Sequence, residues 1–280
     1  MAVSIAHLGP RGTYSEQAAT AYQTWLQQQA DTDSVLQSYP SILQAIQAVA
    51  ATTVSLAIVP VENSIEGSVA VTLDTLWQLD TLRVQRALIL PIKHTLLTYA
   101  NDTSAIQTIY SHPQALGQSQ QWIAQHCPDA TLIPSRSTTE ALQQLENSPT
   151  TAAIASEWAA QLYDIPILAS DINDQPDNFT KFLVLGTAEH QAGSYTSLAF
   201  SLPVNAPGAL LRPLEVFAGA HINLSRIESR PTKRSLGEYL FFVDLEASLA
   251  EPNTQTALKM LANFTEKIKC FGSYSTIPAE

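Results

Sequence analysis

The chain has 280 residues, 45 % of them hydrophobic and only 14 % charged, which is enough apolar material for about two domains with real cores. A formal net charge of -11 excludes the basic stripe that a nucleic-acid backbone demands, and no apolar run approaches the length of a membrane span. Cys127 and Cys270 stand far apart with no cysteine or histidine at zinc spacing, so they read as reduced structural thiols and neither metal nor cofactor is expected.

The first eight residues lack the basic start and cleavage site of an export signal, which predicts a cytoplasmic protein. Residues 3–8 read as a strand and 14–28 as a helix with Ala18, Tyr22, Trp25 and Leu26 on one face, a spacing repeated over 42–49. Further strands are expected at 54–59, 106–110, 131–133, 152–155 and 182–185, with helices at 115–125 and 138–145. This alternation predicts an α/β fold with a mostly parallel sheet. The β-rich stretch 82–99, which contains Pro91, breaks the rhythm as a crossing between two lobes would. Two lobes with a cleft between them are therefore expected, lobe 1 at about 1–82 and 161–188 and lobe 2 at about 83–160.

Residues 189–194 read as a polar linker. Beyond it come a strand at 196–202, a helix at 207–219, strands at 222–229 and 239–246, a helix at 253–267 and a strand at 270–274. That order is βαββαβ, a ferredoxin-like unit over 195–280.

Four helix starts carry capping-box spacing: Thr13–Glu16, Asn63–Glu66, Ser111–Gln114 and Ser137–Glu140. The first three follow strands directly, at the strand ends where open α/β sheets bind ligands. Gly9 and Gly12 precede Thr13 and permit close backbone approach, although no nucleotide fingerprint is present. The net negative charge repels anions at long range, so an anion site has to be local. Lys181, at the mouth of an apolar strand, is either a solvated lysine or a carboxylate ligand. His112 is the one histidine inside a motif.

Taken together and in order, these stretches resemble the prephenate dehydratase family. The residues that carry the resemblance are Gly9–Ala19, Val59–Val69, Ser111–Leu116, Ser137–Ala141 and Asn178–Phe182. The C-terminal unit resembles an ACT domain through Gly208, Ala209 and Leu210 and through Glu228, Ser229, Arg230 and Pro231. The resemblance implies a two-lobed catalytic region like a periplasmic binding protein. It implies loss of water and carbon dioxide from prephenate to give phenylpyruvate, with phenylalanine acting through the ACT domain of a homodimer or homotetramer. The family has Thr-Arg-Phe where this chain has Thr180-Lys181-Phe182, which keeps the charge and loses the bidentate fork.

By the same resemblance Thr180 is the catalytic residue, with His112 a lesser candidate donor. Lys181 is expected to grip a substrate carboxylate, because a cation on the carboxylate that leaves would favour the ground state. Phe182 is expected as an apolar wall. Asn63, Ser64, Ser111, Gln114 and Thr13 are expected substrate contacts. Gly208, Ala209, Leu210, Asn223, Leu224, Glu228, Ser229 and Arg230 are the expected effector contacts, Glu228 pairing with a ligand ammonium or with Arg230. Two alternatives stay open: an arogenate dehydratase, for which Asp174, Asp177 or Glu62 would supply a free acid, and a non-catalytic metabolite sensor.

Overall fold

The computed structural model describes residues 2–190 and 192–278. Met1, Gln191 of the expected linker and the last two residues of the expected second domain lie outside them. Among the described residues no helix is long and apolar enough to cross a membrane.

The first lobe is built from β1 (Val3–Leu8), α1 (Tyr14–Ala30), β2 (Ser34–Tyr39), α2 (Ile42–Ala50), β3 (Leu56–Asn63), β4 (Gly67–Ser68), α3 (Ala70–Gln78) and β5 (Arg83–Pro91). The second contains β6 (Thr95–Thr98), β7 (Thr108–Ser111), α4 (Pro113–Gly117), α5 (Gln120–His126), β8 (Thr131–Pro134), β9 (Thr151–Ala155), α6 (Glu157–Tyr163) and β10 (Ile167–Ala169). The chain then returns to the first lobe as β11 (Phe179–Gly186).

Strand order in the first sheet is β5-β11-β3-β1-β2, and in the second β10-β6-β9-β7-β8. The sheets are mixed rather than mostly parallel. β11 runs antiparallel to both β3 and β5, because it is the strand that brings the chain back. The crossing lies after Pro91. β5 therefore belongs to the first sheet and not to lobe 2, whose sheet begins at Thr95 and takes in β10.

Burial explains the layering. β3 is apolar on both faces, with Ala57, Ile58 and Val59 fully buried. Ala18, Ala19, Tyr22 and Leu26 of α1 cover one face, and Ala45, Ile46 and Val49 of α2 the other. The expected helix at 115–125 is broken. α4 ends at Gly117, and α5 starts anew after Ser119, its Gln121 and Trp122 amides capped by the Asp174 carboxylate. The expected helix at 138–145 is only a 3-10 turn, Glu140–Gln144.

The C-terminal unit is β12 (Tyr195–Ser201), α7 (Leu211–Gly219), β13 (Leu224–Pro231), β14 (Tyr239–Leu245), α8 (Pro252–Leu261) and β15 (Lys267–Tyr274). Its antiparallel order, β13-β14-β12-β15, is that of a ferredoxin-like sheet. α7 and α8 cover one face, packing on Leu198, Phe200, Val243 and Leu245. The other face contributes Ala199, Leu240, Phe242, Phe271 and Tyr274 to the same apolar cluster as Val61, Leu76 and Leu183 of the first lobe. Lys269, nearly buried, inserts its ammonium into the C-terminal end of α3, on the carbonyls of Trp77 (3.1 Å) and Leu79 (2.6 Å). A last strand, β16 (Thr276–Pro278), pairs in parallel with β5 at the edge of the catalytic sheet.

Candidate functional site

Between the lobes lies a cleft of about 860 Å³, within the usual span for small-molecule sites. Its floor is the register of β3 against β11, which sets Thr180 opposite Asn63. The Asn63 amide is oriented by its neighbours. Its Oδ1 accepts the backbone amides of Ile65 and Glu66, both at 3.0 Å, so Asn63 caps a turn into β4 rather than the helix expected there. Nδ2 therefore faces inward, donating to Thr180 Oγ1 (2.9 Å) and Asn178 Oδ1 (2.8 Å). With a lone pair of Thr180 held by that donor, the threonine's own proton remains available.

A chain of hydrogen bonds runs away from this pair. Asn178 Nδ2 donates to Gln118 Oε1 (2.9 Å), and Gln118 Nε2 donates to Glu66 (3.3 Å). Gln118 Oε1 also lies 3.0 Å from His94 Nε2, and the Tyr14 hydroxyl lies 2.9 Å from His94 Nδ1. An acceptor on Gln118 requires His94 to carry its proton on Nε2, and beside the unprotonated Nδ1 the Tyr14 hydroxyl donates to the Lys93 carbonyl at 2.7 Å. Burial pushes the His94 pKa below 6.5 against the Gln118 bond that raises it, so the neutral ring fits. Burial likewise pushes the Tyr14 phenol well up, which keeps it a donor. Because Gln118 belongs to the second lobe and Asn178, Asn63 and Glu66 to the first, this network ties the lobes together.

Thr13 Oγ1 caps α1 by accepting from the Glu16 amide, while the Glu16 carboxylate returns to the Gly12 amide. The first-turn amides of α1 have no intrahelical partner, and Thr13, Tyr14 and Ser15 line the cleft. Gly12 has φ of +87°, and a Cβ there would fall 2.6 Å from Thr139 and 2.9 Å from Tyr163, so glycine permits the lobes to meet. Across the cleft, His112 Nδ1 accepts from the Gln114 amide, leaving Nε2–H as a donor. Burial lowers the His112 pKa, partly countered by Glu66. Arg136 is the one lysine or arginine lining the cleft among the described residues. It pairs with Glu140 at 2.6 Å.

Of the residues expected at the site, Thr180, Asn63, Phe182, His112, Gln114 and Thr13 line the cleft. Three do not. Ser111 is fully buried and donates to the Ile154 carbonyl, since strand β7 ends there and His112 takes over the cap. Ser64 turns outward, donating to the Asp177 carbonyl and accepting from the Phe179 amide. Lys181 points away altogether. As the neighbour of Thr180 on a strand it projects from the opposite face, where its ammonium meets Asp244 (2.9 Å) and the Tyr274 hydroxyl (3.0 Å) of the C-terminal unit. This placement runs against the expectation that Lys181 grips substrate. Spacing alone held the signal, since Thr180 and Lys181 cannot both face one cleft. Gln118, His94, Asn178 and Arg136 were missed by sequence reasoning.

In the C-terminal unit Gly208, with φ of +79°, lies in an exposed turn, and α7 begins only at Leu211. Register places Ser201 and Arg230 at one end of the sheet, on Leu240, and Thr196 and Leu224 at the other, on Leu245. Gly208, Ala209 and Leu210, which follow the Ser201 end, thus stand with Ser229 and Arg230, whereas Asn223 and Leu224 lie at the far end. Asn223 donates to Glu246, and Arg230 pairs with Asp74 of α3 rather than with Glu228.

The family model of prephenate dehydratase matches residues 5–190, and that of the ACT domain matches residues 196–262. The chain is 36 % identical over 284 residues to the prephenate dehydratase of Lactococcus lactis subsp. lactis, with 98 % of each chain covered. Its fold is similar to that of the prephenate dehydratase of Arthrobacter aurescens in complex with L-Phe, at a TM-score of 0.85 and 32 % identity over 98 % of this chain and 90 % of the other. It is also similar to GqqA, described as a quorum-quenching acylase, at a TM-score of 0.80 and 25 % identity over 98 % of both.

Proposed function

The chain belongs to the prephenate dehydratase family, and from that premise we propose that it removes water and carbon dioxide from prephenate to give phenylpyruvate, under feedback control by phenylalanine. The observation that carries the reading is the Thr180 hydroxyl, set in the cleft wall with its lone pair occupied by Asn63 Nδ2 at 2.9 Å. Its proton is directed to a ligand. As the ring hydroxyl departs it takes that proton and leaves as water. The bond from the ring to its carboxylate breaks in the same elimination, and the freed electron pair makes the ring aromatic. Thr180 recovers its proton from solvent.

Threonine is a weak acid, so the driving force comes from aromatisation and the hydroxyl supplies a directed hydrogen bond. The His112 Nε2–H supplements it from the opposite wall. With Lys181 turned away, the pyruvyl carboxylate falls to the first-turn amides of α1 and to Arg136, while the ring lies on Phe182. Gln114 contributes a further polar contact. A local anion site of this kind suits a chain with a net charge of -11.

Two observations favour prephenate over the other readings. Asp174 is spent on the amides of α5, Glu62 lies toward Arg226, and Asp177 does not line the cleft, so none of the three offers a carboxylate to an arogenate ammonium. His94 meets a hydroxyl only in Tyr14, a phenol whose proton goes to the Lys93 carbonyl and whose pKa burial pushes up, and His112 Nδ1 is taken by the Gln114 amide, which is not the pairing that activates a nucleophile for acyl transfer.

The effector site follows from the split of its candidate residues. Gly208 with Ser229, and Asn223 with Leu224, stand at opposite ends of one sheet, so a site using both sets draws them from two copies. Phenylalanine would then bind between ACT domains of a homodimer or larger assembly in the cytoplasm. The test is phenylpyruvate formation from prephenate by the purified protein, with and without phenylalanine. Turnover that phenylalanine suppresses supports both halves, and Thr180→Ala should cut kcat with little change in KM. No turnover on prephenate would refute the reading.

A further inference from the structure

The charged groups directly behind the catalytic pair have no role in the chemistry above, yet three of them, Asp244, Arg226 and Lys181, are largely enclosed. Register sets Lys181 opposite Glu62, as it sets Thr180 opposite Asn63. One pair faces the cleft and the other faces the C-terminal sheet. There Asp244, almost wholly buried, accepts from Lys181 Nζ (2.9 Å), from Arg226 Nε (3.2 Å) and from the Ser197 hydroxyl (2.6 Å). Arg226 in turn lies 4.0 Å from Glu62. The Lys181 ammonium sits over the rings of Tyr274 (5.3 Å) and Tyr195 (5.9 Å). Ligands of one lysine thus come from β12, β14 and β15, three strands of the regulatory unit.

The ladder that should hold Thr180 against Asn63 is weak at that point. Between Lys181 and Phe182 the register slips, so that Lys181 pairs with Glu62 but Phe182 with Pro60. Proline has no amide to give to the ladder, and a bulge follows. On the β3 side the end that carries Asn63 and Thr180 lies beyond this bulge, while on the other side β11 stays in register with β5, Thr180 on Leu90.

We infer that Lys181 is a positioning residue: its salt bridge to Asp244, with Arg226 and Glu62, clamps the bulged end of β3–β11 onto the regulatory sheet and so holds Thr180 and Asn63 in their reactive geometry. The C-terminal unit is then a structural part of the active site even with no effector bound. The inference rests on the dehydratase reading of Thr180.

The experiment uses the full chain without phenylalanine. Lys181→Met keeps the aliphatic stem and removes the charge. A loosened clamp shifts Thr180 by a fraction of an ångström to about one, for which losses on the order of 10- to 100-fold are typical. The expected result is a kcat lowered by about that factor with KM within about twofold, and recovery of most of the loss in Lys181→Arg. A Lys181→Met protein with wild-type kcat overturns the inference, and so does a rise in KM alone, which would return the lysine to substrate binding. Tyr274→Phe, measured alongside, removes a single ligand of the ammonium without opening a cavity. If Lys181→Met does not fold, a severalfold lower kcat at unchanged KM in Tyr274→Phe supports the clamp, and wild-type kcat overturns it. A wild type inactive on prephenate refutes the dehydratase reading alone. Hydrogen exchange then decides: faster exchange at the amides of Ser64–Glu66 and Phe179–Thr180 in either variant supports the clamp, and unchanged exchange overturns it.

Discussion

Asn63→Asp is the sharpest test of how Thr180 works, because it changes the donor that Thr180 receives into an acceptor, although it also removes the bonds from Nδ2 to Asn178 Oδ1 (2.8 Å) and the Phe179 carbonyl (3.2 Å). Oδ1 keeps its bonds to the amides of Ile65 and Glu66. The other atom, which donated to Thr180 Oγ1 at 2.9 Å, becomes a carboxylate oxygen. The Thr180 hydroxyl then turns to donate to that carboxylate, and its proton is no longer directed at the substrate. A hydrogen bond to a charged group contributes about 1.5–3 kcal/mol, and this has to be broken before the proton can serve the leaving hydroxyl. At about 1.36 kcal/mol per decade, kcat should fall about 10- to 150-fold. Burial raises the pKa of the new carboxyl, while the Ile65 and Glu66 amides and the Thr180 hydroxyl, all donating to it, lower it, so it is protonated only toward acid pH. Protonated, it regains a donor. The ratio of variant to wild-type kcat should therefore rise as the pH falls, and the assay is phenylpyruvate formation at saturating prephenate across a pH series. A variant with wild-type kcat, or a ratio that is flat with pH, would refute the assignment of the proton.

Arg136→Gln removes the one cation in the cleft lining, and since that side chain is 93 % exposed the expected effect is modest, a KM raised about 3- to 10-fold with kcat retained. Asp244→Ala leaves Lys181 and Arg226 without their common partner and should destabilise the chain by about 3–5 kcal/mol, read by urea unfolding. Burial alone would raise the Asp244 pKa, but Lys181, Arg226 and the Ser197 hydroxyl outweigh it and hold the carboxyl below 3.8. Its contribution is therefore complete above pH 3.8 and is lost as the pH falls below that value, a loss that Asp244→Asn should abolish. Buried His94 has a folded pKa below 6.5, so the unfolded chain takes up its proton first. Stability should fall as the pH drops below 6.5, with a shallower slope in His94→Gln, measured by urea midpoints at several pH values.

The elements that burial alone dictates were the legible ones. α1 and α2 carry apolar residues at helical spacing, β3 is apolar on both faces, and the βαββαβ order of the last third announces itself through short alternating runs. Where the sequence misled, a long-range partner had overridden a local signal. Ser111 has the spacing of a cap, but its hydroxyl is drawn to the Ile154 carbonyl on β9, and the cap passes to His112. The helical stripe at 115–125 is real, yet Asp174, some fifty residues on, supplies a second N-terminus that divides it. The polar network behind Thr180 was not visible because Gln118 and His94 lie outside the quoted motifs, Asn178 only opens one of them, and the three meet only where the lobes come together. Lys181 is the instructive case. Its type suggested an anion site and its neighbour is the proposed catalytic residue, but the two-residue period of a strand sends them to opposite faces.

β16 leaves the regulatory sheet only two residues after β15 ends at Tyr274 and lies along the outer edge of β5. The regulatory module is consequently joined to the catalytic one at both of its ends, by the linker that enters it and by the strand that leaves it. It is an insertion in all but name. A chain cut at the linker would not simply lose a sensor. It would bare the hydrogen-bonding edge of β5, with the apolar Ala87 and Leu88 opposite the departed residues, and such an edge recruits other chains. Insolubility of that fragment would report an uncapped sheet and say nothing about whether the cleft can act alone.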